Sequence, residues 1–275
     1  MPTTLADPTA PSLSYSDTGG TGRAVVLIHG WPLDRRSWDA NVSTFSSNGF
    51  RVIAYDRRGF GESEKTNDSY DYDVLADDLH RLMTELDLRE VTLVGFSMGG
   101  GEVARYIARF GEDRIHSVVF AAAVPPYLLK TDDNPQGPLT EAAAAEMETG
   151  LRNDRLVFFD RFTTKFFSVG EELKVSEAQR QEAIVMCQAS GIDAALACMK
   201  AFGTTDFRID LKSITAPTLV IHGDGDGTVP FEGSGKRTNE IIPHSVLHLI
   251  KDGPHGINVA NNEEFNEAVL EFLKQ

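Results

Sequence analysis

Residues 95–99 (GFSMG) place a serine between two glycines with the GxSxG spacing of a nucleophile elbow. An apolar run at residues 91–94 precedes the motif, and a helical pattern follows from about residue 98. The chain must turn so sharply at Ser97 that larger flanking side chains would collide, and the glycines leave room for the turn. We therefore expect Ser97 to present its hydroxyl at the carboxyl end of a strand, where it could attack a carbonyl carbon.

A serine hydroxyl is a weak nucleophile until a histidine removes its proton and a carboxylate orients that histidine. Of the seven histidines, His255 alone combines a downstream position, a loop just after a predicted strand and flanking glycines. The carboxylate is Asp226 or Asp224, which share one loop, and we favour Asp226 because Asp224 lies close enough to the strand end to serve the turn. Asp252 is a third candidate, but it is too near His255 in sequence to reach the imidazole easily. His222, at the end of a buried strand, is expected to be a hydrogen-bonded structural residue.

Two backbone N–H groups must also point at the oxygen of the tetrahedral intermediate. Met98, the residue after the nucleophile, is placed to supply one of them. Residues 29–32 (HGWP) end an earlier strand, and Trp31 is placed to supply the second because Pro32 has no N–H to donate. The sequence therefore predicts an oxyanion hole formed by Trp31 and Met98.

These residues lie in a chain whose short apolar runs alternate with helical patterns. Predicted strands lie at residues 24–29, 51–55, 91–94 and 117–122. Between residues 75 and 86 the apolar residues recur at helical spacing with charged residues opposite, which indicates an amphipathic helix. Alternation of this kind is typical of βαβ units in a parallel sheet.

The alternation is interrupted after two prolines, at positions 125 and 126. Helical patterns at residues 139–151, 155–167 and 176–202 replace the strand signals, and predicted strands return at residues 218–222 and 246–250. The chain therefore reads as a core domain that surrounds an inserted helical segment.

We predict an α/β protein with a mostly parallel central sheet flanked by helices. Its core domain comprises residues 1–124 and 213–275, and residues 125–212 form an inserted helical cap, or lid. A final helix is expected to begin at Asn261, with Glu264 completing a capping box.

The balance of charge limits the partners that we expect. Forty-one acidic and 26 basic residues give a formal charge of −15, which repels phosphate backbones and anionic lipid headgroups, so we expect no nucleic acid and no membrane partner. The longest uncharged stretch, residues 115–129, contains two prolines and is shorter than a bilayer span. The first 17 residues lack the basic and apolar regions of a signal peptide, so a cytoplasmic location is expected.

The two cysteines are expected to be buried free thiols. Cys187 and Cys198 lie in a predicted helix, about 16 Å apart along its axis, which is beyond disulfide reach unless the helix breaks between them. Neither has the CxxC spacing of a metal or redox site.

Six segments of the chain carry a family resemblance. They are HGWPLDRRSW (29–38), YDRRGFGES (55–63), YDYDVLADDLHRL (70–82), LVGFSMGGGEVARYIARFG (93–111), HGDGDGTVPFE (222–232) and DGPHG (252–256). Together they closely resemble one branch of the α/β-hydrolase superfamily, which holds the cofactor-free bacterial haloperoxidases, also called perhydrolases, with aryl esterases and γ-lactamases. The resemblance covers the core from about residue 13 to the C-terminus and is weaker in the cap.

The resemblance implies the α/β-hydrolase fold and no metal or haem cofactor. It implies a nucleophile, an acid, a base and two oxyanion donors at Ser97, Asp226, His255, Trp31 and Met98. It thereby favours Asp226 over Asp224. Gly227 departs from the family, whose members usually carry a larger residue there, and this difference could loosen the acid loop.

The resemblance implies hydrolysis of esters, lactones or lactams. Our first hypothesis is therefore a serine hydrolase that acts through an acyl-enzyme, and we expect its substrates to be small and largely uncharged. In the alternative, hydrogen peroxide attacks an acyl-enzyme made from a short carboxylic acid, and the released peracid oxidises halide. The Trp31-Pro32 pair, found in haloperoxidases of this branch, motivates that alternative as the main activity. A third hypothesis is a non-catalytic small-molecule receptor, and a homo-oligomer is an open possibility.

Apolar residues could line a substrate pocket beneath the cap, although packing is the alternative role of each. The candidates are Trp31, Phe96, Val124, Tyr127, Phe158, Phe162 and Val229.

Overall fold

The structure, a computed structural model, describes residues 3–4, 10–66 and 68–275. Its strands are β1 (Thr3–Thr4), β2 (Ser14–Asp17), β3 (Ala24–Ile28), β4 (Arg51–Tyr55), β5 (Val91–Phe96), β6 (Ile115–Ala121), β7 (Ser168–Val169), β8 (Glu172–Leu173), β9 (Thr218–Gly223) and β10 (Val246–Ile250). β7 and β8 pair as a separate hairpin, and the other strands form one sheet in the order β1-β2-β4-β3-β5-β6-β9-β10. From β4 to β10 the neighbouring strands of this sheet are parallel, while β2 pairs antiparallel with both β1 and β4. The predicted α/β fold with a mostly parallel sheet is confirmed.

The central strands are apolar along their whole length because helices cover both faces of a parallel sheet. Every residue of β3, β5 and β9 is buried. The register pairs Ile28 with Gly95, and Gly95 with Phe120, so neighbouring strands end at the same edge of the sheet. The loops that follow these strands therefore meet at that edge.

Helices flank the sheet and fill the segment between β6 and β9. They are α1 (Asp39–Ser47), α2 (Tyr72–Glu85), α3 (Met98–Phe110), α4 (Glu141–Asn153), α5 (Arg155–Phe166), α6 (Glu177–Ala189), α7 (Ile192–Thr204), α8 (Arg208–Lys212), α9 (Gly235–Ile241), α10 (Ile257–Ala260) and α11 (Asn262–Leu273). α2 shows the local signals clearly: the Asp71 side chain accepts from the N–H of Val74 at 3.0 Å, and Leu75, Leu79 and Leu82 are buried on one face.

The predicted cap segment holds α4 to α8 and the β7–β8 hairpin, while its boundaries at residues 125 and 212 stay a prediction. The single helix predicted at residues 176–202 is wrong, because α6 and α7 are separate helices that meet at 102°. The N–H of Gly191, at the break, donates to the carbonyl of Gly59 at 2.7 Å. The break therefore joins this helix pair to the core domain.

Both cysteines are free and buried, as predicted, although the helix does break between them. Burial raises the pKa of Cys198 to about 12, so its thiol is neutral at physiological pH. Arg155 donates to the carbonyl of Cys187 at 3.2 Å. Because Cys187 lies on α6 and Cys198 on α7, the separation expected along a single helix axis does not describe these two cysteines.

The capping box predicted for the last helix is wrong. The side chain of Asn261 makes no hydrogen bond to the first turn of α11. Asn261 directly follows α10, and its backbone N–H donates to the carbonyl of Ile257 in that helix. Glu264 instead lies 3.2 Å from His248 Nε2 on the neighbouring strand.

Among the described residues no single helix has the length and apolar character to span a membrane. Only α6 and α7 taken together reach that length and apolar character, and they are bent by 102° where they meet. Residues 1–2, 5–9 and 67 of the predicted core domain lie outside the described residues, and so does much of the segment that the sequence predicts to lack a signal peptide.

Candidate active site

Ser97 lies in the sharp turn between β5 and α3. Its φ of 54° is in the left-handed region, which non-glycine residues rarely adopt. A Cβ on Gly95 would lie 2.6 Å from the Gly99 carbonyl oxygen, and a Cβ on Gly99 would lie 2.6 Å from the Ile28 carbonyl oxygen. Neither position accepts a side chain unless the backbone moves, so the two glycines permit the turn.

Ser97, His255 and Asp226 form a continuous hydrogen-bonded series. Ser97 Oγ lies 2.9 Å from His255 Nε2, and His255 Nδ1 lies 2.6 Å from Asp226 Oδ2. The three side chains come from the turn after β5 and the loops after β10 and β9, and all are buried. When the imidazole proton is on Nδ1, where the carboxylate accepts it, Nε2 is free to take the serine proton.

The second oxygen of Asp226 is held by the backbone of its own loop. Oδ1 accepts hydrogen bonds from the N–H groups of Thr228 and Val229, each at 2.8 Å. Burial alone would raise the pKa of Asp226, but the charge of His255 and hydrogen bonds from His222 and His255 hold it well below its usual range. The carboxylate is therefore ionised at neutral pH.

The other two aspartates that the sequence left open lie elsewhere in these loops. Asp224 Oδ1 accepts from the N–H of Asp252 at 2.7 Å, and this bond joins the loop after β9 to the loop after β10. Asp224 thus serves the turn, as expected, and Asp226 is the residue in contact with the imidazole of His255.

His222 has a contact that the sequence did not indicate. Its Nε2 lies 2.9 Å from the carbonyl oxygen of Val229 and 3.3 Å from Asp226 Oδ2. A carbonyl oxygen only accepts, so the proton of this fully buried imidazole is on Nε2. His222 is the hydrogen-bonded structural residue that was predicted, and it also braces the carboxylate.

The segments that carry Met98 and Trp31 meet at Ser97. Met98 begins α3, so its N–H is one of the N-terminal donors that no helix carbonyl can accept. A Cβ on Gly30 would lie 3.0 Å from the Ser97 Cβ, which brings the loop after β3 against the serine. The side chain of Trp31 is held in place by its Nε1, which donates to the Ala195 carbonyl at 2.9 Å.

A buried ion pair connects the segments that carry Met98 and Trp31. Arg57 Nε lies 2.5 Å from Oε2 of Glu102 on α3, and another guanidinium N–H donates to the carbonyl of His29 at 2.8 Å. His29 Nε2 accepts from the backbone N–H of Arg57 at 3.0 Å. Burial, together with the charge of Arg57, holds the pKa of His29 well below its usual value, so the ring is neutral.

Comparison with known proteins places this site in a family. The family described as alpha/beta hydrolase fold matches residues 23–261. The chain belongs to the alpha/beta hydrolase family. This hydrolase is 42% identical over 264 residues to a non-heme chloroperoxidase of Kitasatospora aureofaciens, with 95% of each chain covered. It is 36% identical over 263 residues to the bifunctional esterase/perhydrolase DCH of Acinetobacter calcoaceticus, with 94% of this chain and 95% of that one covered.

A solved structure agrees with these relatives. The crystal structure of a bromoperoxidase from Bacillus anthracis is 51% identical to this hydrolase and superimposes with a TM-score of 0.97 over 100% of both chains. The resemblance inferred from the six sequence segments is confirmed, and the chain is an enzyme of the hydrolase class.

A cavity of about 660 Å³ opens onto Ser97 and His255 in this hydrolase. Five of the seven residues predicted to line a pocket do so: Trp31, Val124, Phe158, Phe162 and Val229. The indole of Trp31 packs edge-on against the rings of Phe158 and Phe162 at 6.2 and 5.2 Å between centroids. One wall of the cavity is therefore aromatic.

Phe96 and Tyr127, the other two predicted pocket residues, do not line the cavity. Phe96 precedes the serine on β5, so its ring projects to the other side and packs 6.0 Å from Trp38 and 5.2 Å from the imidazole of His255. The guanidinium of Arg208 covers the Tyr127 ring at 5.4 Å. Phe96 therefore packs against the imidazole of His255 outside the cavity, and Tyr127 packs against Arg208 of the cap.

The sequence missed a larger set of cavity residues on the cap. They include Leu128, Ala143, Met147, Gly150, Val157, Arg161, Lys165 and Phe202. Helical periodicity shows which residues share a face, but it does not show towards which neighbour that face turns.

Proposed function

We propose that this protein is a serine hydrolase that cleaves small carboxylic esters, lactones or lactams through an acyl-enzyme. The series Ser97 Oγ, His255 Nε2, His255 Nδ1 and Asp226 Oδ2, with spacings of 2.9 and 2.6 Å, is the observation that carries the proposal. Ser97 and His255 line a cavity of about 660 Å³, a volume that suits a small substrate.

In the first half of the proposed reaction, Ser97 Oγ bonds to the substrate carbonyl carbon while its proton moves to His255 Nε2. The carbonyl oxygen takes the electron pair and becomes an oxyanion, which the N–H groups of Trp31 and Met98 stabilise. The C–O or C–N bond to the leaving group then breaks, and that group takes the proton from His255. Asp226 keeps the imidazole in the required tautomer and stabilises its charged form.

In the second half, water attacks the acyl-enzyme and gives its proton to His255. The bond from the acyl carbon to Ser97 Oγ breaks, and the serine regains a proton from the imidazolium. The products are a carboxylic acid and free enzyme.

The test is steady-state hydrolysis of aryl esters, lactones and bicyclic lactams by the wild type and by Ser97→Ala. We expect the variant to lose roughly 10⁴- to 10⁶-fold in kcat with little change in thermal unfolding, because the nucleophile is removed while alanine fits the same turn. Full ester turnover by a folded Ser97→Ala variant would overturn the proposal.

Peracid formation is a second candidate activity, supported by relatives named chloroperoxidase and esterase/perhydrolase. A carboxylic acid would acylate Ser97 with loss of water, and hydrogen peroxide would attack the acyl carbon to release a peracid and the serine hydroxyl. In solution the peracid would oxidise bromide and return the carboxylic acid. Pro32, next to the oxyanion donor, is the residue to test.

Pro32→Leu should lower the ratio of perhydrolysis to hydrolysis, measured with acetate and hydrogen peroxide against hydrolysis of an aryl acetate. An unchanged ratio would show that Pro32 has no special role in perhydrolysis.

The cytoplasmic location and the homo-oligomer stay predictions, which cell fractionation and light scattering can test.

A further inference from the structure

Two cationic side chains line the cavity alongside the aromatic residues of α5. Arg161 and Lys165 are four residues apart and so lie on one face of the helix, the face that also carries Phe158 and Phe162. Both cations are exposed. The cavity thus changes from an apolar wall, formed by Trp31 and the two phenylalanines, to a basic rim on a single helix.

In the described part of the chain neither cation is engaged by a carboxylate. Arg180, by contrast, is a cap arginine with two carboxylate partners: it lies 2.8 Å from Asp160 and 2.7 Å from Glu177. Arg161 and Lys165 have no such ion pair within 4.0 Å, although the protein carries a formal charge of −15. Two unpaired cations in a cavity of an acidic protein are available to a ligand.

The described carboxylates that also line the cavity, Asp154 and Glu146, form no ion pair with Arg161 or Lys165 within 4.0 Å. Asp154 caps α5, where its Oδ1 accepts from the N–H groups of Leu156 and Val157 at 3.0 Å, so the helix N-terminus already stabilises its charge. Glu146 is carried by α4, on another wall of the cavity.

Lys165 lies beside the loop that carries Asp226. A Cβ on Gly227 would lie 3.8 Å from Lys165 Cε and would meet no other heavy atom within 4 Å. Gly227 also has no positive φ, so the backbone does not require glycine there. The missing side chain at position 227 leaves the space next to the lysine open, at the end of the cavity near the reacting residues.

We infer that Arg161 and Lys165 form an anion subsite, and that the preferred substrates are esters or lactones with a carboxylate several methylenes from the scissile carbonyl. The methylenes would contact the aromatic wall while the carboxylate reaches the cations. This inference rests on the proposed hydrolase function, and it replaces the expectation of largely uncharged substrates.

The test uses matched ester pairs that differ only in the distal carboxylate: monomethyl glutarate against methyl pentanoate, and monomethyl adipate against methyl hexanoate. Wild type should show the higher kcat/KM on the charged member. Arg161→Met with Lys165→Met should lower the ratio of charged to neutral kcat/KM by roughly three- to tenfold, as expected for exposed charge-assisted contacts. Lys200→Met, which removes an exposed cation outside the cavity lining, is the matched control and should leave the ratio unchanged.

A second readout does not depend on turnover. Ser97→Ala should bind monomethyl adipate in calorimetry, and adding the two methionine substitutions should weaken that binding by a similar factor. Equal ratios in wild type and the double variant, or a ratio that falls as far in Lys200→Met, would overturn the subsite. Absence of serine-dependent turnover with carboxylate-dependent binding intact would instead reject the hydrolase proposal and keep the subsite.

Discussion

Asp226 offers one oxygen to His255 at 2.6 Å while its other oxygen is fixed by two backbone N–H groups at 2.8 Å. The carboxylate therefore cannot rotate to exchange its oxygens without losing both backbone bonds. This arrangement makes the effect of an amide at position 226 predictable.

Asp226→Asn should lower kcat by roughly 10⁴-fold. The N–H groups of Thr228 and Val229 would bind the amide oxygen, which places the amide NH₂ against His255 Nδ1. The imidazole must then accept at Nδ1 and carry its proton on Nε2, where it cannot take the proton of Ser97. Ester hydrolysis measures the loss, and Asp224→Asn, in the same loop, is the control, with an expected change below about tenfold. A fully active Asp226→Asn enzyme would contradict this assignment of tautomers.

The low pKa of Asp226 predicts how the stability of the fold depends on pH. Because the folded-state pKa is depressed, the charged carboxylate stabilises the fold above its unfolded-state pKa, about 3.9, and this contribution is lost as the pH falls towards the folded-state value. Below pH 4 the difference in unfolding free energy between wild type and Asp226→Asn should shrink by up to about 1.4 kcal/mol per unit of pH. Urea unfolding at stepped pH measures it, and a difference that grows as the pH falls below 4 would contradict the sign.

Gly99→Ala should damage the turn at Ser97, since its Cβ would lie 2.6 Å from the Ile28 carbonyl oxygen. The end of β3 must move, and with it the loop that carries Trp31, so we expect about 1–3 kcal/mol of destabilisation and a lower kcat. Gly227→Ala is the matched control, because a Cβ there lies 3.8 Å from its nearest neighbour. It should be neutral or add up to about 1 kcal/mol of stability, as measured by chemical unfolding. Equal effects of the two substitutions would show that the crowding at Gly99 is unimportant.

Glu102→Gln should destabilise the protein by roughly 3–5 kcal/mol, because it leaves the fully buried guanidinium of Arg57 without a counter-charge. Replacing both residues by methionine should recover much of that loss in thermal unfolding. Glu148→Gln, which breaks the exposed pair with Arg152, is the comparison and should cost about 0.5 kcal/mol or less. A small effect at Glu102 would mean that water reaches Arg57.

The fold was predictable from the sequence because its central parallel strands, β3, β5 and β9, are buried on both faces and are therefore apolar runs bounded by turns. Prediction from the sequence failed where contacts between distant parts of the chain override the local pattern of residues. The break between α6 and α7 depends on a hydrogen bond from Gly191 to Gly59, more than 100 residues earlier in the chain. Asn261 follows α10 directly, so the backbone of the preceding turn takes the place of a side-chain cap.

The sequence by itself predicted the candidate nucleophile and base, because the GxSxG motif at Ser97 is a local pattern and both Ser97 and His255 follow strands that end at one edge of the sheet. Asp224 and Asp226 lie in the same loop after β9, so their positions along the chain do not distinguish their roles. Only the tertiary structure showed that Asp226 contacts His255, while Asp224 accepts a hydrogen bond from the loop after β10. It also decided the lining of the cavity, from which Phe96 and Tyr127 are absent and to which Arg161 and Lys165 contribute. The rotation of a helix about its axis depends on its partners in packing, and spacing along the chain does not encode that rotation.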